Sequence, residues 1–187
     1  MKNLFTALCL VSASATSAVA DIVHQNSRWG FEVLQPSGWT SIPPGPTPEA
    51  ATVRFKMRSP EAGTVCNVVA MDAPSTRELT QAQINGAVSQ GILANIAADE
   101  VRSIDPNVRR TSASIITVNG LPAQEVELRT TFPLPDKAKV DLAQISMAIA
   151  VPGRSYLVNC TTVQQSYERL KPEFRRIQRS LRIVPAR

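Results

Sequence analysis

Between Val108 and Thr162 four extended segments follow one another with only turns between them, and this constrains the fold more than any other part of the chain. Val108 to Val118 and Ala123 to Phe132 flank Asn119-Gly-Leu-Pro122, and Asn-Gly is the strongest short-range hairpin signal because both residues tolerate positive φ. Lys139 to Val151 and Arg154 to Thr162 flank Pro152-Gly153, a pair suited to a tight turn. Strands joined so closely pair antiparallel, since a parallel pair needs a crossover of a dozen or more residues. This part of the chain is therefore no parallel βαβ unit.

Upstream, Phe31 to Gln35 alternates as a strand and stops at Pro36-Ser-Gly-Trp39. Pro43-Pro-Gly-Pro-Thr-Pro48 holds four of the 14 prolines and predicts an extended surface loop. Ala51 to Arg58 and Thr64 to Asp72 read as a hairpin around Ser59-Pro-Glu-Ala-Gly63. Ser75-Thr76 is expected to open a helix in which Ile84, Val88, Ile92 and Ile96 line one face as far as Ala98. Asp99 to Asn107 reads as a charged loop. At the other end Val163, Tyr167, Leu170, Phe174, Ile177 and Leu181 keep helical spacing, with Pro172 predicting a short first helix and a restart. The order is β-β-β-α-β-β-β-β-α, an α+β fold in which helices cover an antiparallel sheet.

The first twenty residues combine Lys2, the apolar run Leu4 to Val11 and the small-residue site Ala18-Val-Ala20, the pattern of a secretory signal peptide cleaved before Asp21. The run is too short and too interrupted by Ser and Thr to span a bilayer, and Leu8 ahead of Cys9 does not fit a lipidation site. Residues 21–187 are then expected to form one α+β domain that works in the periplasm or outside the cell. Of the 3 cysteines, Cys66 and Cys160 remain in a compartment that permits disulfides. Each ends up on the apolar side of a strand, beside Val68 and Ala70 or Val158 and Tyr156, so one bridge between adjacent strands is expected.

Four segments, Phe31-Glu-Val-Leu-Gln-Pro-Ser-Gly-Trp39, Asn119-Gly-Leu-Pro-Ala123, Arg154-Ser-Tyr-Leu157 and Pro172-Glu-Phe-Arg-Arg-Ile-Gln-Arg-Ser-Leu181, together resemble the PsbP-like α/β/α sandwich. That family includes an extrinsic subunit of photosystem II, a Ran-binding nuclear import factor and DcrB-like bacterial envelope proteins. The resemblance runs in order over residues 29 to 183. It implies a binding or accessory module and brings no catalytic signature.

The composition narrows the chemistry. His24 is the only histidine and falls on what reads as an N-terminal arm, which leaves no base for a Ser-His or Cys-His nucleophile. With the cysteines paired, no zinc set can be assembled, and no phosphate loop, nucleophile elbow or HExxH motif occurs. No cofactor or metal is expected. Glu125 and Glu127 share one face of a strand, a spacing open to a hydrolase pair or a weak cation site, although the solvated outer face of a half-buried strand has the same pattern. Asp99, Glu100 and Asp105 match no calcium loop.

Charge is concentrated at the end of the chain. Without Lys2, 19 of the 20 basic residues face 15 acids, yet residues 168–187 alone hold Arg169, Lys171, Arg175, Arg176, Arg179, Arg182 and Arg187 against Glu168 and Glu173. Arg175, Arg179 and Arg182 share a helix face. With Arg176 they form a candidate surface for an acidic partner or an anionic membrane, or else an ordinary solvated face. Nucleic acid is not an expected partner of an exported chain without interleaved surface aromatics. The expected function is that of an exported, non-enzymatic accessory protein binding another envelope or secreted protein. A carrier of lipid or a small apolar ligand, and an enzyme working through carboxylates, are the alternatives.

Overall fold

In a computed structural model of the chain the residues described are 20–46, 52–91, 108–133 and 138–184. Residues 1–19 of the expected signal peptide, the second half of the Ile84-to-Ile96 stripe, Asp99, Glu100, Asp105 and Arg187 lie outside them. Among the described residues the elements are β1 Ile22–Asn26, β2 Phe31–Gln35, β3 Thr40–Ser41, β4 Val53–Arg58, β5 Val65–Ala73, α1 Gln81–Ser89, β6 Arg109–Val118, β7 Leu121–Pro133, β8 Lys139–Val151, β9 Gly153–Val163, α2 Tyr167–Arg179 and β10 Arg182–Ile183. β3 to β9 form one antiparallel sheet in the order β3-β4-β5-β9-β8-β7-β6, and β1-β2-β10 form a second, three-stranded antiparallel sheet.

The four long strands stand where the turn signals put them. Asn119 and Gly120 take φ of 48° and 82°, as the right-handed twist of a two-residue hairpin demands. The Asn119 side-chain amide also donates to the Leu181 carbonyl at 2.6 Å, tying the β6–β7 turn to the end of α2. Gly153 at φ 76° follows Pro152 in the β8–β9 turn, the conformation that Pro followed by Gly favours.

The large sheet is covered on both faces, so its central strands are apolar on both sides. On one face α2 and the small sheet bury Phe31, Val33, Trp39, Val68, Ile145, Met147, Tyr156, Phe174 and Ile177. On the other, α1 buries Ile84 and Val88 against Val69, Val126, Ala148 and Leu157. Cys66 and Cys160 sit directly opposite each other on β5 and β9, Cα atoms 4.1 Å apart, and are joined by a disulfide. Both are fully buried on the α2 side.

Four expectations need correction. Ser75 and Thr76 form only a 3-10 turn, Pro74–Thr76. The α-helix starts after Thr80, because the Thr80 hydroxyl accepts from the Gln83 backbone N–H while the Gln83 side chain caps the Thr80 N–H, a reciprocal cap that satisfies two orphan groups. Pro172 does not divide the C-terminal helix. Val163 belongs to β9, a 3-10 turn covers Gln164–Ser166, and α2 then runs unbroken through Pro172. The hydrogen bond that Pro172 cannot give is outweighed by the complete burial of Tyr167, Phe174 and Ile177 on either side of it. Lastly, the N-terminal arm is β1, in register with all of β2 from Ile22–Gln35 to Asn26–Phe31. Among the described residues no helix is long and apolar enough to cross a membrane.

Candidate functional site

Alternate residues of β7, namely Ala123, Glu125, Glu127 and Arg129, face α2. The sequence suggested that Glu125 and Glu127 would stand on a solvated face. They are instead 4% and 7% exposed beneath the helix. Arg175 holds Glu125 through Nη2–Oε1 at 2.6 Å and Nε at 3.2–3.3 Å, and lies 3.6 Å from Glu127. Lys171 Nζ meets Glu127 Oε1 at 2.7 Å. The match is one of pitch: two residues along a strand advance ~6.8 Å and four along a helix ~6.0 Å, so an i, i+2 acid pair meets an i, i+4 basic pair.

Burial opposes ionisation of Glu127, but the Lys171 ammonium at contact distance, the neighbouring Tyr167 hydroxyl and the nearby Arg175 charge outweigh it and hold the carboxyl below the ordinary carboxylate range. The Glu125 carboxylate, in turn, raises the pKa of Arg175. Tyr167 is pushed up by its own burial and by Glu127. A carboxylate neutralised at contact distance is a poor general base, so this pair is built as a clasp between sheet and helix.

The basic face is correspondingly less free than the charge count implies. Arg175 is committed to Glu125. Arg176 pairs with Asp21 at 2.6 Å and approaches Glu173 at 3.7 Å. Arg182 leaves the helix altogether and lies in β10 across from Glu32, because α2 ends at Arg179 and Leu181 turns inward to full burial. Arg179 stays on the helix, exposed, and among the described residues it has no acidic partner. Arg176, Arg179, Pro172 and Leu34 line a groove of about 850 Å³ between α2 and β2. Its end is pinned by the Ser180 hydroxyl, which accepts from the Leu34 backbone N–H at 2.9 Å.

Two further residues were not legible as part of this region. Asp21 accepts from the Ser37 backbone N–H at 2.9 Å while holding Arg176, so the residue after the expected cleavage site is fixed beside the groove. His24 is stacked on Phe55 with ring centroids 3.8 Å apart. Its Nε2 is buried without a hydrogen-bond partner, and burial lowers its pKa.

Comparisons with known proteins agree with this architecture. The chain is similar to the solution structure of cyanobacterial PsbP (CyanoP) from Synechocystis sp. PCC 6803, at 16% identity and TM-score 0.61, over 93% of this chain and 98% of that one. It is similar to the Saccharomyces cerevisiae Ran-binding protein Mog1p at 8% identity and TM-score 0.52, over 88% and 96%. LpqN of Mycobacterium tuberculosis, described as involved in cell envelope biogenesis, aligns at 14% identity and TM-score 0.47 over 83% of each chain. At such identities the likeness to CyanoP and Mog1p is one of fold. No curated protein matches. The sequence profile of the PsbP family, however, matches residues 22–183, from the first strand to the last, and the chain therefore belongs to the PsbP family.

Proposed function

We propose that this protein is an exported, non-catalytic accessory protein that docks an acidic segment of another envelope or secreted protein in the groove between α2 and β2. The observation that carries the reading is Arg179, an exposed cation facing a groove whose other basic residues, Lys171, Arg175 and Arg176, are already ion-paired. Those pairs hold the helix face still, so an incoming carboxylate meets a preformed donor beside the apolar surface of Leu34 and Pro172. Export is supported by the leader pattern of residues 1–20. A protein-binding role accords with Mog1p, a Ran-binding protein on a similar fold, although a fold alone selects no partner.

The test is affinity capture from envelope extract with the wild type and with Arg179→Glu, read by mass spectrometry. A protein recovered by the wild type and lost by the variant, at unchanged melting temperature, is the expected result. An identical set of captured proteins refutes the groove as the docking site. Loss of lipid instead of protein transfers the role to an anionic membrane surface.

A further inference from the structure

We propose that a recess at the amino-terminal end of α2, distinct from the groove that runs along the helix beside β2, is an anion site in which Arg109, Arg129 and Lys139 receive a phosphate group. The strands β7 and β8 run on past the start of α2, and the overhang leaves a recess of about 850 Å³ facing Gln164. Arg109 on β6 and Arg129 on β7 are directly opposite each other in the register. Lys139 on β8 is opposite Pro133 on β7. All three cations line the recess.

Like charges directly opposite on adjacent strands oppose pairing, and here a third cation joins them. The neutralisation available is small. Asp141 is on the same wall, its carboxylate accepting from the Thr131 hydroxyl at 2.6 Å. Glu168 reaches Arg129 only at 3.6 Å and is 75% exposed, and so exposed a pair contributes little. Among the described residues Arg109 and Lys139 have no acidic partner. Among the described residues three cations against Asp141 and an exposed, loosely paired Glu168 leave the recess net positive, which suits a phosphate.

Arg129 is also oriented in advance. Its guanidinium lies over the Tyr167 ring, 4.1 Å from the centroid, and Nη1 donates to the Leu128 carbonyl at 3.2 Å. A stacked, planar guanidinium offers its remaining donors in a fixed fork, the geometry that binds phosphate through two parallel hydrogen bonds. The flexible Lys139 adds a point charge. The recess is open and larger than phosphate itself, so it admits a phosphate borne on a larger molecule, either a soluble phosphate ester or a lipid headgroup.

The probes are inorganic phosphate, titrated at constant ionic strength against backbone amide resonances, and vesicles of phosphatidylglycerol and phosphatidylcholine in a co-sedimentation assay. The proteins compared are the wild type, Arg109→Ala/Lys139→Ala, and Arg58→Ala, an exposed cation on β4 outside both the recess and the groove, as a control. Both substituted residues of the double variant are exposed, so its fold is retained. Saturable phosphate shifts centred on Arg109, Arg129, Lys139 and Gln164, weakened at least tenfold in the double variant and unchanged in the control, are expected. If vesicle binding falls with the same variant, the phosphate is that of a headgroup; if vesicles are ignored, it is that of a soluble ester. Scattered, non-saturating shifts, or equal affinity in the double variant, overturn the proposal.

Discussion

Arg175→Ala tests whether the sheet and helix are clasped by charge. Glu125 is 4% exposed and its nearest cation is Arg175 Nη2 at 2.6 Å. Unit charges about 4 Å apart interact by ~4 kcal/mol at an effective dielectric of ~20, and removing one partner of a buried pair costs ~3–5 kcal/mol. The Arg175 side chain is itself 35% exposed, so water reaches the vacated space and the expected loss is discounted to ~2–3 kcal/mol. Urea unfolding followed by tryptophan fluorescence at neutral pH measures it. The pair Glu125→Gln/Arg175→Met removes both charges together and recovers most of the loss, since a buried ion pair replaced by packed neutral groups is often neutral in stability. A loss under ~0.5 kcal/mol for Arg175→Ala, the level of an ordinary surface substitution, would refute the clasp.

Phe174→Ala empties a fully buried position packed edge-on to Trp39 and is expected to cost ~3–5 kcal/mol by the same urea assay. Reducing the Cys66–Cys160 bridge reopens a loop with 94 residues of sequence separation, for which the chain-entropy relation gives ~4–5 kcal/mol; intact mass with alkylation before and after reduction shows whether the thiols are joined in protein purified without reductant. His24 has a lowered folded-state pKa because it is buried, so the unfolded chain binds the proton more readily and stability falls as the pH drops below ~6.5. His24→Phe is expected to flatten that part of the stability profile, and an unchanged slope would show that the imidazole stays solvated.

Features set by nearest neighbours along the chain were open to reading. The Asn119-Gly120 and Pro152-Gly153 turns impose their φ values locally, and once two turns are placed the alternation of β7, β8 and β9 follows. Cys66 and Cys160 were legible for the same reason, since each keeps the parity of an apolar strand face. What escaped depends on pairing across space. Glu125 and Glu127 look like a solvated face until α2 supplies Lys171 and Arg175 at a matching pitch. β1 has two exposed apolar residues, Ile22 and Val23, and becomes a strand only because β2 offers an edge. Pro172 argued for a break, but local propensity loses to the rings buried on both sides of it. The Arg109–Arg129 juxtaposition needs the β6–β7 register, with its shift between Arg110 and Ser112, and no spacing rule predicts such a bulge.

The recess lies beside the start of the 13-residue helix, whereas Arg179 stands at the helix's last position, at the far end of the groove that runs along it. At ~1.5 Å per residue Arg179 is ~18 Å from the start of the helix, about twice the Debye length of ~8 Å at physiological salt, so charge changed at Arg179 is largely screened at the recess. Between Arg179 and the recess stand the Lys171–Glu127 and Arg175–Glu125 pairs, which are close to neutral and give no continuous basic stripe along the helix. An acidic chain or a flat membrane therefore does not engage both sites through one uniform field. Each site must be addressed by its own ligand, and Arg179→Glu and Arg109→Ala/Lys139→Ala should act additively, because the residues share no partner and are far enough apart for independent effects. Phosphate affinity of the Arg179 variant measured at low and at physiological salt decides it: coupling that appears at low salt and vanishes at physiological salt is the signature of two separate sites, while coupling that persists would require a conformational link through α2 that its clasped, buried face does not offer.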